Sequence, residues 1–256
     1  MIPARQAVAQ FQVAMMLLTR LPAGKLTAPI PKLQDAAWAY PLVGLVVGAV
    51  GAAALTVALW IGAAPGIAAG LALIATILAT GALHEDGLAD VADGFGGGQT
   101  RARKLEIMRD SRIGSYGTLA LILSVGMRWQ AIALMAEFNV PGAVCAMVAA
   151  AVISRAGLPA MMVALPPARD DGLGHLAAGG DWTGAGMSAA LGGVAVMVLL
   201  GPVAGVAVAL AVAGALLGLG LLAIRQIGGQ TGDVLGAGQQ TAEITTWVIL
   251  LAMLKV

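Results

Sequence analysis

Hydrophobic residues in this chain come in long blocks, and the polar residues are gathered into a few short stretches between them. A helix that crosses a bilayer needs about 20 consecutive, mostly apolar residues. Blocks of that kind predict spans over roughly 37–60, 64–83, 116–136, 141–164, 185–200, 203–224 and 241–254. Glycine and proline inside them, such as Pro41 and Gly44, are better tolerated in membrane helices than in soluble ones. The break between the fifth and sixth spans rests on Gly201-Pro202 alone. An eighth apolar piece, 6–20, ends at Arg20-Leu21-Pro22 and is shorter, which predicts an interfacial or half-buried helix.

Composition supports the same picture. Of the 256 residues 59% are hydrophobic and only 11% charged, with a mean hydropathy of +0.91. Soluble domains carry about 25% charged residues, and a chain of this size still needs a polar exterior. Lipid is the partner that replaces it. The expectation is an all-α polytopic membrane protein, one domain over 1–256, with about seven transmembrane helices, a short N-terminal interfacial helix and polar loops that carry the chemistry. With a net charge of +1 nothing suggests a polyanion-binding surface, and no nucleic-acid partner is expected. The single cysteine, Cys145, lies in an apolar run and reads as a small buried residue. The N-terminus lacks a signal-peptide pattern.

Loop charges predict orientation. Arg5, Arg20, Lys25 and Lys32 precede the first span; Arg101, Arg103, Lys104, Arg109 and Arg112 fill the loop 84–115; Arg169 and Arg225 lie in later loops. If the seven spans hold, these eleven of the fourteen basic residues share one face, which the positive-inside rule makes cytoplasmic. Lys255 falls on the other face, and Arg128 and Arg155 fall inside spans. A bacterial inner membrane with the polar loops facing the cytoplasm is the expected location.

Chemistry concentrates in His84-Glu85-Asp86-Gly87-Leu88-Ala89-Asp90-Val91-Ala92-Asp93-Gly94. On a helix, Asp86, Asp90 and Asp93 fall at about 0°, 40° and −20°, one narrow stripe. Three carboxylates this close repel one another and do not ionise together unless a cation neutralises them. Oxygen ligands with no cysteine and few histidines favour Mg²⁺, with Mn²⁺ as a substitute. Glu85 projects about 100° off the stripe and His84 lies nearly opposite, so both are expected to support the site from behind. The glycines at 87, 94, 96, 97 and 98 suit either close approach to a phosphate-bearing ligand or a turn that ends the helix.

Two further polar loops are expected on the same face. In Arg109-Asp110-Ser111-Arg112, preceded by Lys104, alternating charges beside an acidic metal site resemble a phosphate clamp, because arginine forks pair bidentately with phosphate. Asp110 is either a further metal ligand or the partner that orients those arginines. The loop Gly228-Gly229-Gln230-Thr231-Gly232-Asp233 can present backbone N–H groups to an anion, with Asp233 as another metal ligand at the mouth of the last span and Glu243 behind it. Arg155, after Ser154, is an intramembrane arginine of the kind that faces a polar cavity or an acidic partner. No Ser-His-Asp or Cys-His arrangement, Walker loop or zinc-type histidine pair is present. Together these residues point to a divalent-metal-dependent membrane enzyme that transfers an alcohol onto a diphosphate.

The motifs also resemble a known family. Leu18-Thr19-Arg20-Leu21-Pro22, the acidic stretch 84–94, the basic stretch 105–112 with Gly114 and Gly117, Ser154-Arg155, Asp171-Gly172-Leu173-Gly174, and 228–237 with Glu243 are similar to those of the cobalamin synthases, the adenosylcobinamide-GDP ribazoletransferases. The resemblance covers nearly the whole chain. It implies substrates that are a corrinoid nucleotide and α-ribazole or its 5′-phosphate, joined with Mg²⁺ to give adenosylcobalamin or its phosphate and GMP. It places Asp86, Asp90, Asp93, Arg109, Asp110, Arg112 and Asp233 at motif positions. A CDP-alcohol phosphotransferase is a weaker match, since Asp86-Gly87-Leu88-Ala89 lacks the arginine that usually follows. A prenyltransferase would need a second aspartate-rich loop, and a cation transporter would leave 109–112 without a role.

Overall fold

A computed structural model describes residues 3–172 and 179–254. The described chain is helical, with one isolated parallel bridge between Pro167 and Gln230. Helix α1 (Ala4–Leu18) is followed by a short 3-10 turn (Gln34–Ala39) that leads into α2 (Tyr40–Trp60). Then come α3 (Pro65–Thr80), α4 (Leu83–Gly97), α5 (Arg101–Ile107), α6 (Ser115–Phe138), α7 (Val140–Ala156) and α8 (Leu158–Ala164). The chain closes with α9 (Trp182–Leu200), α10 (Pro202–Ile227) and α11 (Gly232–Met253).

Five segments are long and apolar enough to cross a membrane: 34–60, 115–138, 140–164, 182–200 and 202–227. Two of the seven expected spans differ. The block 64–83 becomes α3, only 16 residues long, which meets α4 at 88°. The corner is built by Gly81 and Ala82, both left-handed at φ 65 and 58. Gly81 also lies under Arg20: a Cβ there would stand 2.6 Å from its Nε. Helix α4 therefore turns across the end of the bundle instead of continuing through it. The last span starts at Gly232, nine residues ahead of the expected 241, and its first half carries Asp233, Gln239, Gln240 and Glu243. Asp233 is partnered by Arg169 and Thr231, and Gln239, Gln240 and Glu243 by α4, α6 and α7, which is why average hydropathy misses this half of the helix.

The other boundaries follow local chemistry. Gly201, at φ 81, ends α9, and Pro202 opens α10 at a position where its missing N–H is not needed. Helix α1 has 15 residues, about 22 Å, too short for a hydrocarbon core of about 30 Å. It buries Val13, Ala14, Met15 and Leu18, and its Gln10 accepts a 2.7 Å hydrogen bond from the Trp38 indole. Small residues let the helices approach closely: a Cβ on Gly44 would lie 2.3 Å from the Ala151 carbonyl oxygen of α7.

Three loops meet at the end of the bundle crossed by α4. Arg101 donates to the Ala168 carbonyl at 3.1 Å, Arg109 pairs with Asp171 at 2.6 Å, and the Lys104 ammonium donates to Gln226. The basic loop, the 165–172 segment and the 228–232 loop thus share one face. Lys255 and the residues Leu173 and Gly174 lie outside the described residues.

Candidate active site

Helix α4 packs on α11 through paired glycines. A Cβ on Gly87 would stand 2.8 Å from the Asp233 carbonyl oxygen and 3.2 Å from the Gly236 Cα, so only glycine allows this approach. The crossing sets Asp86 and Asp90 of α4 beside Asp233 in the first turn of α11. Asp86 is exposed, Asp90 and Asp233 half-buried. Burial and the neighbouring charges of Asp233, Asp86 and Asp93 push the Asp90 carboxyl up to about 7, against a smaller opposing pull from Arg169. The shift comes first from burial and then from the crowding of carboxylates, which Arg169 only partly offsets.

Arg169 was not foreseen as a site residue. It donates to Asp233 at 2.5 Å, and Asp233 also accepts from the Thr231 hydroxyl at 3.2 Å. The same Thr231 oxygen caps α11 by accepting from the Val234 N–H. No sequence signal pairs Arg169 with an acid 64 positions away.

The stripe of three divides. Asp93 is buried, and its carboxylate accepts from the Gly114 N–H at 2.7 Å and the Gly117 N–H at 2.9 Å. It closes the N-terminus of α6 from outside, as an N-cap residue would. Gly114 and Gly117 must be glycine, since a Cβ on either would come 2.4 Å from an Asp93 oxygen. Of the stripe, Asp86 and Asp90 face the clefts.

His84 and Glu85 lie on the bundle side of α4, where both line a small internal cavity while each also edges one of two larger ones. Arg128 of α6, with its side chain 2% exposed, lies 3.0 Å from Glu85 and 3.5 Å from Glu243 of α11. Gln240 donates to Glu85 at 3.1 Å and accepts from Ser124 at 2.9 Å; Gln239 donates to Ser154 at 3.0 Å and to Glu243. Arg155 lines the same small cavity of about 20 Å³, together with His84 and Trp247. Its guanidinium donates to the Ala151 carbonyl of its own helix. Arg128, Gln239 and Gln240 were not expected as supports, because sequence spacing does not show which residues of other helices face Glu85 and Glu243.

The remaining predicted residues separate. Arg112 forks onto Asp110, which holds the Asp110 carboxyl down at about 2. Arg109 holds Asp171. Arg109, Asp110 and Arg112, with Ser111, are beside Asp86 and Asp90 in a cleft of about 420 Å³. Lys104 and Arg155 line neither this cleft nor the other one bordered by Asp86, of about 290 Å³, which contains Thr231, Gly232 and Asp233. Gly229 is buried against the 165–168 segment, where a Cβ would meet the Pro166 carbonyl oxygen at 1.9 Å. The adjacent Gln230 N–H donates to that carbonyl, so this part of the loop clasps its neighbour instead of opening as an anion nest.

Among the described residues, no three His, Cys, Asp or Glu side chains stand close enough together to hold a metal ion by themselves. Asp86, Asp90 and Asp233 form an open acidic set. Mg²⁺ suits such a set, since it is commonly held by one or two carboxylates with water and substrate phosphate completing the shell.

The comparisons agree with one another. The family described as cobalamin-5-phosphate synthase matches residues 10–251. A protein of Bradyrhizobium diazoefficiens named adenosylcobinamide-GDP ribazoletransferase is 47% identical over 252 residues, covering 97% of this chain and 95% of its own. Proteins of the same name from Mesorhizobium japonicum and Azorhizobium caulinodans are 46% and 45% identical, covering 96% and 84% of this chain and 93% and 83% of their own. No solved structure matches. With the family matched across nearly its full length, the chain belongs to the cobalamin-5-phosphate synthases.

Proposed function

We propose that this protein is an Mg²⁺-dependent adenosylcobinamide-GDP ribazoletransferase, joining α-ribazole or its 5′-phosphate to adenosylcobinamide-GDP and releasing GMP. The observation that carries the chemistry is the gathering of Asp86, Asp90 and Asp233, where burial and the neighbouring carboxylates hold the Asp90 carboxyl up to about 7. The substrates rest on the names of relatives up to 47% identical.

The ribose hydroxyl of ribazole attacks the phosphorus that bears the corrinoid's aminopropanol arm. A new O–P bond forms, the bond to the bridging oxygen breaks, and its electrons leave with GMP. The hydroxyl proton passes to a carboxylate of the cluster. Asp86, Asp90 and Asp233 would hold the metal, which when bound offsets the diphosphate's negative charge. Arg109 and Arg112 orient the diphosphate, with Asp110 and Asp171 as the ground-state partners those phosphates displace. Asp93 fixes α4 to α6, and the Glu85–Arg128–Glu243 network holds α4 from the bundle side.

The reading also takes the site to face the cytoplasm from the bacterial inner membrane. Its support is the gathering of Arg101, Lys104, Arg109 and Arg169 at one end of the bundle. The direct test is purified protein in lipid nanodiscs with both substrates and Mg²⁺. Expected is stoichiometric GMP and adenosylcobalamin (5′-phosphate), lost on chelation and restored by Mg²⁺. GMP release without a joined corrinoid product would sink the reading.

A further inference from the structure

Asp86 belongs to two cavities, and their linings differ in chemistry. One, of about 290 Å³, has walls of Leu17, Leu18, Leu33 and Tyr40, with Arg169 and Asp233 at its polar end. The other, of about 420 Å³, is lined by Asp90, Arg109, Asp110, Ser111 and Arg112. On the α4 wheel with Asp86 at 0°, the residues facing the first cavity are Leu83, Gly87 and His84, at about 60°, 100° and 160°. Those facing the second are Glu85, Ala89 and Asp90, at about −100°, −60° and 40°. The first set spans about 60° to 160° and the second about −100° to 40°, so the two cavities lie on adjoining faces of α4 that divide between Asp90 and Leu83, and Asp86 borders both. The Arg109–Asp171 ion pair joins a lining residue of the second to one of the first.

An in-line displacement needs two places that meet at the reacting atom, because the attacking and leaving oxygens lie on opposite sides of the phosphorus. We propose, resting on the transferase reading, that the leucine-lined cavity holds the ribazole base and the arginine-lined cavity holds the guanosine diphosphate part of the corrinoid nucleotide, with the reacting phosphorus at Asp86. The uncharged, methyl-bearing bicyclic base of ribazole matches leucine side chains and a tyrosine ring, as small-molecule sites are mostly apolar with a few placed polar groups. Where ribazole carries a 5′-phosphate, Arg169 and the capped start of α11 at Thr231 lie at the polar end of the same cavity. The diphosphate brings several negative oxygens, and Arg109 and Arg112 offer the paired donors that match them. The joined product forms over Asp86, and GMP departs through the arginine side.

Two-substrate initial-rate kinetics on the full-length protein in nanodiscs separates the alternatives. Leu33→Trp and Leu17→Trp fill the first cavity; Arg112→Ala strips a donor from the second. Expected for each tryptophan variant is a KM for ribazole phosphate raised about tenfold or more, with the KM for adenosylcobinamide-GDP and the inhibition constant for GMP within about twofold of wild type. Unchanged GMP inhibition also reports an intact fold. Arg112→Ala should raise the corrinoid nucleotide KM and the GMP inhibition constant about tenfold and leave ribazole phosphate unaffected. The reverse pattern, with tryptophan weakening GMP, places guanine in the apolar cavity and overturns the assignment, as does an equal shift of both KM values in every variant. Wild-type protein that forms no joined product overturns the transferase reading itself.

Discussion

Arg128, near the middle of α6, lies 3.0 Å from Glu85 in the first turn of α4, and its other terminal nitrogen is 3.5 Å from Glu243 of α11. One guanidinium thus ties the acidic helix α4 to both α6 and α11. Removing one partner from a buried ion pair leaves an uncompensated charge and costs about 3–5 kcal/mol. Arg128→Met should lower the thermal midpoint in detergent sharply, and Arg128→Lys should recover part of it. Combining Arg128→Met with Glu85→Gln and Glu243→Gln should recover most of the loss, since no charge is then stranded. A triple variant as unstable as Arg128→Met would show that the network acts through shape and not charge.

Asp90→Asn keeps the volume of the side chain and removes its charge. With the cluster short of one carboxylate, GMP release should fall by about 10²–10³ in kcat, with melting temperature unchanged or raised, because a crowded carboxylate is neutralised. A variant with wild-type turnover would remove Asp90 from the chemistry.

The raised Asp90 carboxyl predicts a pH-dependent metal affinity. Below about 7 the group carries a proton that a cation must displace; above it the carboxylate is free. Half-saturating Mg²⁺ should therefore fall as pH rises, by up to about tenfold per unit below 7, and level off above it. Titrations at pH 6, 7 and 8 check the sign, and in Asp90→Asn this slope should flatten. Affinity that weakens with rising pH would contradict the assignment.

Asp93 should behave as a scaffold. Its carboxylate accepts two N–H groups at the start of α6, so Asp93→Ala is expected to cost about 1–2 kcal/mol of stability. Gly117→Ala should do the same by pushing that carboxylate away. Asp93→Asn retains an acceptor oxygen and should leave half-saturating Mg²⁺ within about threefold of wild type, where Asp90→Asn shifts it much further. Equal shifts in both would restore Asp93 as a ligand.

Orientation is checked by single cysteines in a Cys145→Ser background. Positions 99 and 111 should react with a membrane-impermeant maleimide in inverted vesicles and be protected in intact spheroplasts. Labelling from outside would reverse the topology.

Much of this protein is determined by its sequence alone. Long apolar blocks dictate membrane helices because lipid offers no partner for an unpaired backbone group. The i, i+4, i+7 spacing puts Asp86, Asp90 and Asp93 on one helix face whatever surrounds it. Periodicity reports the face of a helix but not what the neighbouring element brings to it. Only the tertiary structure decides that Asp93 meets the N–H groups of Gly114 and Gly117, that Glu85 meets Arg128, and that Asp233 meets Arg169. The same limit hid the start of the last helix at Gly232: Gln239 and Gln240 lower its average hydropathy, yet they are buried because Ser154, Ser124 and Glu85 satisfy their amides. The turn of α4 across the bundle likewise depends on two left-handed residues, Gly81 and Ala82, and on Arg20 folding over them. Of the predicted stripe of acids, the fold leaves Asp86 bordering two cavities, Asp90 lining one of them and Asp93 capping α6.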